Sequence, residues 1–433
     1  MKILHISQSD TIGGAARAAY RIHRMIVNKG FKDDIFSEMR VVKKNSKDKS
    51  VYSNISGKSS LLKSKLIILL NRLYKLNFKT SNKIVHSTAL ISTNINKKIV
   101  SHFFNETRGI VHLHWLGDNT ISIEEINKIN YPIVWTFHDQ WAFCGAEHYT
   151  NLISDSNPEL IDKRYIEGYK FSNRPTYEKG VDINKKTWDR KKRSWTKKIH
   201  IVCPSNWMAK CARESALMRD FSIKVIPYPI DLDFWKPISK SESRKIFNLP
   251  DSSIIILFGA IGGTSDKRKG ADLLLNAFDI LIQEYSNKNL INVNLVVFGQ
   301  DSSTQLNTKY KFPIHFVGKI DQDKMLRYLY STADLFVIPS RQDNLPQTAI
   351  EAHACGTAVV GFKTGGLIDI IENNVTGLLA KPFEPKSLAK SINSILKDKK
   401  RLKEMGSAAR KRAERLWSED IIYSKYLDLY RKI

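Results

Sequence analysis

Two carboxylates eight residues apart, Asp343 and Glu351, stand in the segment DLFVIPSRQDNLPQTAIEAHACGTAVVGF. Asp343 falls in the loop after an apolar strand, and Glu351 a little over one turn into the helix that follows. A loop carboxylate so placed can face a sugar, while the helical one accepts hydrogen bonds from ribose hydroxyls. Asn344, Leu345 and Pro346 fix the loop between them, and proline suits a first helical turn. A second group is Lys267, Arg268 and Lys269, directly before a helix that begins at Gly270. Three cations and a helix N-terminus together would hold a diphosphate. A third is His138 with Asp139, at the end of the run PIVWTFHD. A histidine at the carboxyl end of a strand can donate to a hydroxyl or manage a proton near neutral pH. His148, nearby, reads as structural. Gly13 and Gly14 follow the first strand and open a helix, where backbone N–H groups can approach an anion closely. Val317 and Gly318 close a further strand and would border a base.

These residues need a scaffold that brings strand ends together. KILHIS (2–7), GIVHLHWL (109–116), PIVWTFHD (132–139) and IHIVCPS (199–205) read as strands of a first half, with KVIPYPI (224–230) as its exit. AARAAYRIHRMIVNKG, ending in Gly30, reads as a helix with its cap, and Ser205 as the cap of the helix after it. In the second half IIILFGA (254–260), NLVVFG (294–299), IHFVG (314–318), DLFVIPS (334–340) and AVVGF (358–362) alternate with helices near 270–285, 321–332, 346–355 and 385–398. Continuous apolar strands between amphipathic helices predict parallel sheets covered on both faces. The fold class is therefore α/β, with two facing Rossmann-like domains. The prolines of PYPIDLDFWKP mark the boundary. The expected domains are 1–228, 229–410 and a C-terminal helix, 411–433, packing back. Open α/β sheets bind ligands at the carboxyl ends of their strands, where each candidate residue lies.

The chain has 433 residues, enough for two domains with real cores. Lys and Arg number 69 and Asp and Glu 43, a formal charge of +26. Such a charge attracts phosphates, nucleic acid or anionic lipid. No helix-turn-helix, zinc-finger or RNP pattern accompanies it, so no nucleic-acid partner is expected. Only four cysteines, Cys144, Cys203, Cys211 and Cys355, in a chain this long exclude a disulfide scaffold, and without CxxC spacing no zinc ribbon or thioredoxin-like site is expected. MKILHISQSD reads as a strand and not a signal peptide, and no run reaches the apolar length of a membrane span. A cytoplasmic protein is expected, at the inner face of the cell membrane if its basic segments bind lipid.

Two such segments stand out. Residues 58–79, KSSLLKSKLIILLNRLYKLNFK, form a basic amphipathic helix that either covers the first domain or lies on an anionic membrane. In KKTWDRKKRSWTKK (185–198), Trp188 and Trp195 lie seven apart on one helical face and suit either a membrane interface or domain docking.

The chain resembles the retaining glycosyltransferases of family 4, of GT-B architecture, and most of all their bacterial exopolysaccharide and O-antigen types, similar to the colanic acid enzymes. The resemblance rests on SDTIGGAARAAYRIHRM, VWTFHDQWAFCGAEHY, CPSNWMA, KRKGADLLL and DNLPQTAIEAHACGTAVV. It implies transfer of a sugar from a nucleotide-diphosphate donor, UDP or GDP, to a glycan or lipid-linked oligosaccharide acceptor in surface polysaccharide synthesis. By position it implies Gly13 and Gly14 near the donor diphosphate, His138 at the donor sugar, and Arg268 and Lys269 on the diphosphate. It also implies Asp343 near the sugar and Glu351 on ribose. The first acid is commonly glutamate, so Asp343 is one methylene shorter. The cysteines that related chains carry after the HY segment are lacking here.

No cofactor or metal is expected. The triplets DLD (231–233) and DQD (321–323) lie in the connector and at a helix start, so Arg268, Lys269 and the helix N-terminus take the role of a metal. The alternatives are a nucleotide-sugar epimerase on the same fold and a catalytically silent, membrane-associated binding protein. Isomerisation of a donor without acceptor marks the first, and no nucleotide release from any donor marks the second.

Overall fold

Short apolar runs alternating with amphipathic helices build two sheets, each parallel throughout. The computed structural model describes the chain except residues 54–57, 81–83, 93–94, 96, 118–119, 151–160, 197–198, 260–265, 285–291 and 300–312. It divides into two units, Met1–Tyr228 with Tyr423–Ile433, and Pro229–Ile422.

The strands of the first unit are β1 (Lys2–Ser9), β2 (Phe36–Lys43), β3 (Val51–Ser53), β4 (Phe78–Thr80), β5 (Gly109–Leu113), β6 (Ile133–Thr136), β7 (Glu178–Gly180), β8 (Ile199–Cys203) and β9 (Ser222–Val225). Seven of them form one sheet in the order β3-β2-β1-β5-β6-β8-β9, while β4 and β7 make a small antiparallel pair. The central strands are buried on both faces, as a parallel sheet between helices requires. Leu4, Ile6, Val111, Leu113, Ile133, Trp135 and Ile201 belong to one apolar core. The helix Gly14–Lys29 ends at Gly30 and buries Ala18, Ala19, Ile22, Met25 and Ile26. Ser205 caps the helix Asn206–Glu214 by accepting from the backbone N–H of Met208 at 3.1 Å.

The chain stays with the second unit through Ile422, so its return starts at Tyr423 and not at 411. The return is held by tyrosine hydroxyls. Tyr423 donates to Asp33 (2.7 Å), Tyr426 meets Thr136 Oγ1 (3.4 Å) and Tyr430 meets His112 Nδ1 (2.7 Å). The membrane alternative for residues 185–198 fails here. Trp188 and Trp195 are both buried, and Trp195 packs edge-on against Trp135 at 5.2 Å. Lys191, between them, donates to the carbonyls of Trp141, Cys144 and Gly145.

The second unit holds β10 (Ile254–Gly259), β11 (Val293–Phe298), β12 (Ile314–Phe316), β13 (Leu335–Ile338), β14 (Ala358–Phe362) and β15 (Gly377–Ala380), in the order β12-β11-β10-β13-β14-β15. Its helices include Ala271–Glu284, Gln347–Ala354 and Pro385–Leu396. All four cysteines are buried and free. No described helix is long and apolar enough to cross a membrane.

Candidate functional site

Loops after successive parallel strands converge at the carboxyl edge of a sheet. In the second unit the loop after β10 carries Lys267–Lys269 as one 3-10 turn, and the loop after β13 carries Asp343. The structure brings them together. Lys269 Nζ lies 2.5 Å from Asp343 Oδ2, and Arg268 Nη1 lies 3.9 Å from the same oxygen. Arg268 also donates to Gln342 O (3.1 Å) and to Asp266 Oδ2 (3.0 Å). Burial by itself would raise the Asp343 pKa. Lys269 and Arg268, with the backbone N–H of Asn344, outweigh it and hold the carboxyl below the usual range. The charged form of Asp343 is thus the native one.

Neighbours the sequence did not single out build this cluster. Arg341 pairs with Asp272 at 2.7 Å and donates to Lys267 O at 2.8 Å, stitching the two loops together. Gly270 has φ +72°, and a Cβ there would stand 1.9 Å from Pro339 O. A Cβ on Gly366 would stand 1.5 Å from Asn344 O, and the Gly366 N–H donates to Asp343 O at 2.9 Å. The pair Gly365-Gly366 follows β14 much as Gly13-Gly14 follows β1, and that repetition was the available signal.

Glu351 sits on the helix Gln347–Ala354, buried, and accepts from the Tyr330 hydroxyl at 2.8 Å. Asn344 and Leu345 are buried, and the Asn344 N–H donates to Asp343 Oδ1 (3.1 Å). Val317 continues the edge beyond β12, its N–H on Val297 O (3.0 Å), next to Gly318 at φ +67°. The two DxD-type triplets lie elsewhere in the unit. Asp231 Oδ1 accepts from the Asp233 and Phe234 N–H groups of its own turn, and Gln322 starts the helix Asp323–Thr332.

In the first unit Gly13 has φ +90°, a conformation that favours glycine, and Gly14 begins the helix. His138 follows β6 and is buried, with both ring nitrogens engaged. Nδ1 meets the Tyr228 hydroxyl (2.8 Å) and Nε2 meets His114 Nδ1 (3.0 Å). Burial lowers its pKa to about 4, so it is neutral at pH 7. Beside it, His148 joins Asp139 Oδ2 (2.6 Å) to Ser87 Oγ (2.7 Å), and Trp115 Nε1 donates to Asp139 at 2.6 Å. Ser87 and His148 are only 2% exposed, so this Ser-His-Asp line is a clamp on the loop and not a nucleophile. His114, Trp115, His138, Asp139, Trp141 and His148 line a small pocket.

His5, His112 and His114 bring ligand-type nitrogens within 4.8 Å of one another. Their lone pairs do not converge on a cation. His112 gives its nitrogens to Tyr430 and Thr136, and His5 Nδ1 meets His114 Nε2 at 2.8 Å. Only His5 Nε2 lacks a partner in this group. The trio is a hydrogen-bonded stack. Two histidines two apart at the end of a buried strand, HLH, were its sequence signal.

Residues 239–412, under half of the chain, match the family model described as glycosyl transferases group 1. The chain is similar to D-inositol 3-phosphate glycosyltransferase of Segniliparus rotundus, 31% identical over 195 residues, 43% of this chain and 42% of that one. It is also similar to the D-inositol 3-phosphate glycosyltransferase of Xylanimonas cellulosilytica, 29% identical over 252 residues, 53% of this chain and 58% of that one. The chain thus spans about half the length of the curated relatives it matches. Among solved structures, sucrose-phosphate synthase from Thermosynechococcus elongatus matches with TM-score 0.66 at 18% identity, covering 100% of this chain and 98% of that one. Anabaena HepE in complex with UDP-glucose matches with TM-score 0.63 at 15% identity, covering 100% of each chain. These whole-length likenesses show the fold, the GT-B architecture of two Rossmann-like halves.

Proposed function

We propose that this protein is a retaining glycosyltransferase of family 4 type. It moves a sugar from a UDP- or GDP-sugar to a glycan or lipid-linked oligosaccharide acceptor in surface polysaccharide synthesis. The observation that carries the reading is the Arg268–Lys269 turn held against the Asp343 loop at a strand-end edge. The match of residues 239–412 to glycosyl transferases group 1 supports it, as does the UDP-glucose bound by the structurally similar Anabaena protein.

Glycosyl transfer forms a bond from the acceptor oxygen to the anomeric carbon and breaks the bond from that carbon to the diphosphate. Negative charge grows on the departing diphosphate, and fixed cations beside it lower the barrier because they need no reorganisation. Arg268 and Lys269 supply that charge in this reading, without a metal. Asp343 holds the two cations in place and lies near the developing positive charge of the sugar ring. Glu351, backed by Tyr330, takes the ribose hydroxyls. Asn344 and Leu345 shape the donor subsite, Val317 borders the base, and Gly13 and Gly14 offer N–H groups to the diphosphate. His138 serves a sugar hydroxyl, which replaces Tyr228 on Nδ1. Asp343 is engaged by Lys269 and Arg268, so we assign a front-face course without a glycosyl-enzyme.

The test is a thermal-shift screen of UDP- and GDP-sugars, followed by nucleotide release with acceptor glycans. A true donor at about 100 times its Kd stabilises by roughly 2.7 kcal/mol. Release of nucleoside diphosphate only with acceptor present supports transfer. Isomerised sugar without acceptor would make the protein an epimerase, and no release with any donor would make it a binding protein.

A further inference from the structure

The helix Lys58–Lys75 docks on the first unit by a narrow stripe. Ser64, Ile67 and Asn71, spaced three and four apart on one face, are buried. Asn71 is fixed there: its Nδ2 donates to Ile67 O (2.7 Å) and its Oδ1 accepts from Thr88 (3.3 Å). The Lys75 ammonium donates to His86 O. The apolar row lies on the opposite face. Leu62, Leu66, Leu69 and Leu73 follow a four-three-four spacing and are 71%, 55%, 52% and 51% exposed. Leu70 and Leu76 widen the strip, at 43% and 66%. Of the two alternatives for this segment, the one in which its apolar face covers the domain does not fit the leucines at Leu62, Leu66, Leu69 and Leu73, which are exposed. Ser64, Ile67 and Asn71 dock, and Leu62, Leu66, Leu69 and Leu73 face outward.

Charge decides what covers them. Between Asp48 and Glu106 the chain has no acidic residue and ten Lys and Arg. Lys65 and Arg72 lie exposed on one flank of the leucine row. A second copy of the chain would set these cations against the same cations. An anionic lipid surface opposes them with phosphates and offers acyl chains to the leucines. The helix is too polar overall to cross a bilayer but long enough, at about 27 Å, to lie along one. We propose that the helix Lys58–Lys75 binds in the plane of an anionic bilayer surface. Leu62, Leu66, Leu69 and Leu73 enter the acyl boundary, and Lys65 and Arg72 rest on the head groups. The inference stands on this helix and does not depend on the transfer reaction.

Flotation of the full chain with vesicles tests it. The wild type should float with vesicles of equal parts phosphatidylcholine and phosphatidylglycerol and stay behind with phosphatidylcholine alone. Leu66→Ser with Leu69→Ser and Leu73→Ser should lower partitioning about tenfold or more. Lys65→Glu with Arg72→Glu should do the same and remove the salt sensitivity of what remains. All five side chains are exposed, and an unchanged far-ultraviolet circular dichroism spectrum confirms that each variant is folded. Failure of the wild type to float with mixed vesicles would overturn the proposal, as would undiminished flotation of the folded serine variant. A wild-type dimer that the serine changes disperse, with no flotation, would instead assign the row to a second copy.

Discussion

Lys269 Nζ and Asp343 Oδ2 are 2.5 Å apart, joining the turn after β10 to the loop after β13. The pair fixes where the cation stands before any anion arrives. Lys269→Ala should cost roughly 1–3 kcal/mol, less than for a fully buried pair because Lys269 keeps about a fifth of its side chain exposed. Much of that cost comes from the stranded carboxylate. Adding Asp343→Asn should therefore recover part of the melting temperature, and the double-mutant cycle measures the coupling. Affinity for nucleoside diphosphate, by calorimetry, should fall about tenfold or more in Lys269→Ala and stay low in the double variant. An unchanged affinity would remove the diphosphate role.

Glycines at two loops should respond differently to a methyl group. Gly270→Ala places Cβ 1.9 Å from Pro339 O, and both lie on backbone that cannot swing away. The turn carrying Lys267–Lys269 must shift, so diphosphate affinity should fall along with stability. Gly13→Ala meets nothing within 4 Å and suffers only from φ +90°, a cost of about 1–3 kcal/mol. Melting temperature and diphosphate affinity measured together separate crowding from dihedral strain.

The buried acid and its phenol partner give a third comparison. Glu351→Ala removes the acceptor assigned to ribose and leaves the Tyr330 hydroxyl without that bond. Nucleoside diphosphate binding should weaken about tenfold. Tyr330→Phe keeps the carboxylate and loses one hydrogen bond, about 1 kcal/mol of stability, with affinity within roughly threefold of wild type. If both variants lose affinity equally, Glu351 acts only through its place in the core.

Much of this architecture was readable because it rests on local signals. Apolar runs such as IIILFG and AVVGF have no polar face, are too short for a helix and are rich in β-branched residues, so they read as strands covered on both sides. Carboxyl ends of such strands place Asp343, Arg268 and Lys269 together without any knowledge of their contacts. Partners chosen by long-range folding were not readable. The Gln342 carbonyl holds Arg268 across 74 residues of chain, and Arg341 ties Asp272 to the Lys267 carbonyl over similar distances in sequence. His138 was legible as a strand-end histidine, but the Tyr228 and His114 partners on its two nitrogens were not. In the helix Lys58–Lys75 the composition was plain and the orientation was not. Thr88, seventeen residues beyond Asn71, settles which face turns inward.

Protonation of the histidine stack yields the last prediction. Burial is the main cause holding His5, His112 and His114 well below 6.5, and it lowers His23 and His138 to about 4. Unfolded, each would titrate near 6.5. Between about 4 and 6.5 the unfolded chain therefore binds more protons, and stability present above pH 6.5 is lost as pH falls. Each such histidine contributes up to about 1.4 kcal/mol per pH unit in that window. His23, between Ser37 Oγ (2.7 Å) and Ser50 Oγ (2.9 Å), is the most separable member. His23→Gln keeps a polar side chain between those hydroxyls and removes one proton from the balance. Urea unfolding of wild type and variant at several pH values should give slopes against pH that differ by about 1.4 kcal/mol per unit near pH 5 and converge above pH 7. Equal slopes throughout would mean that His23 takes up its proton in the folded chain as readily as in the unfolded one.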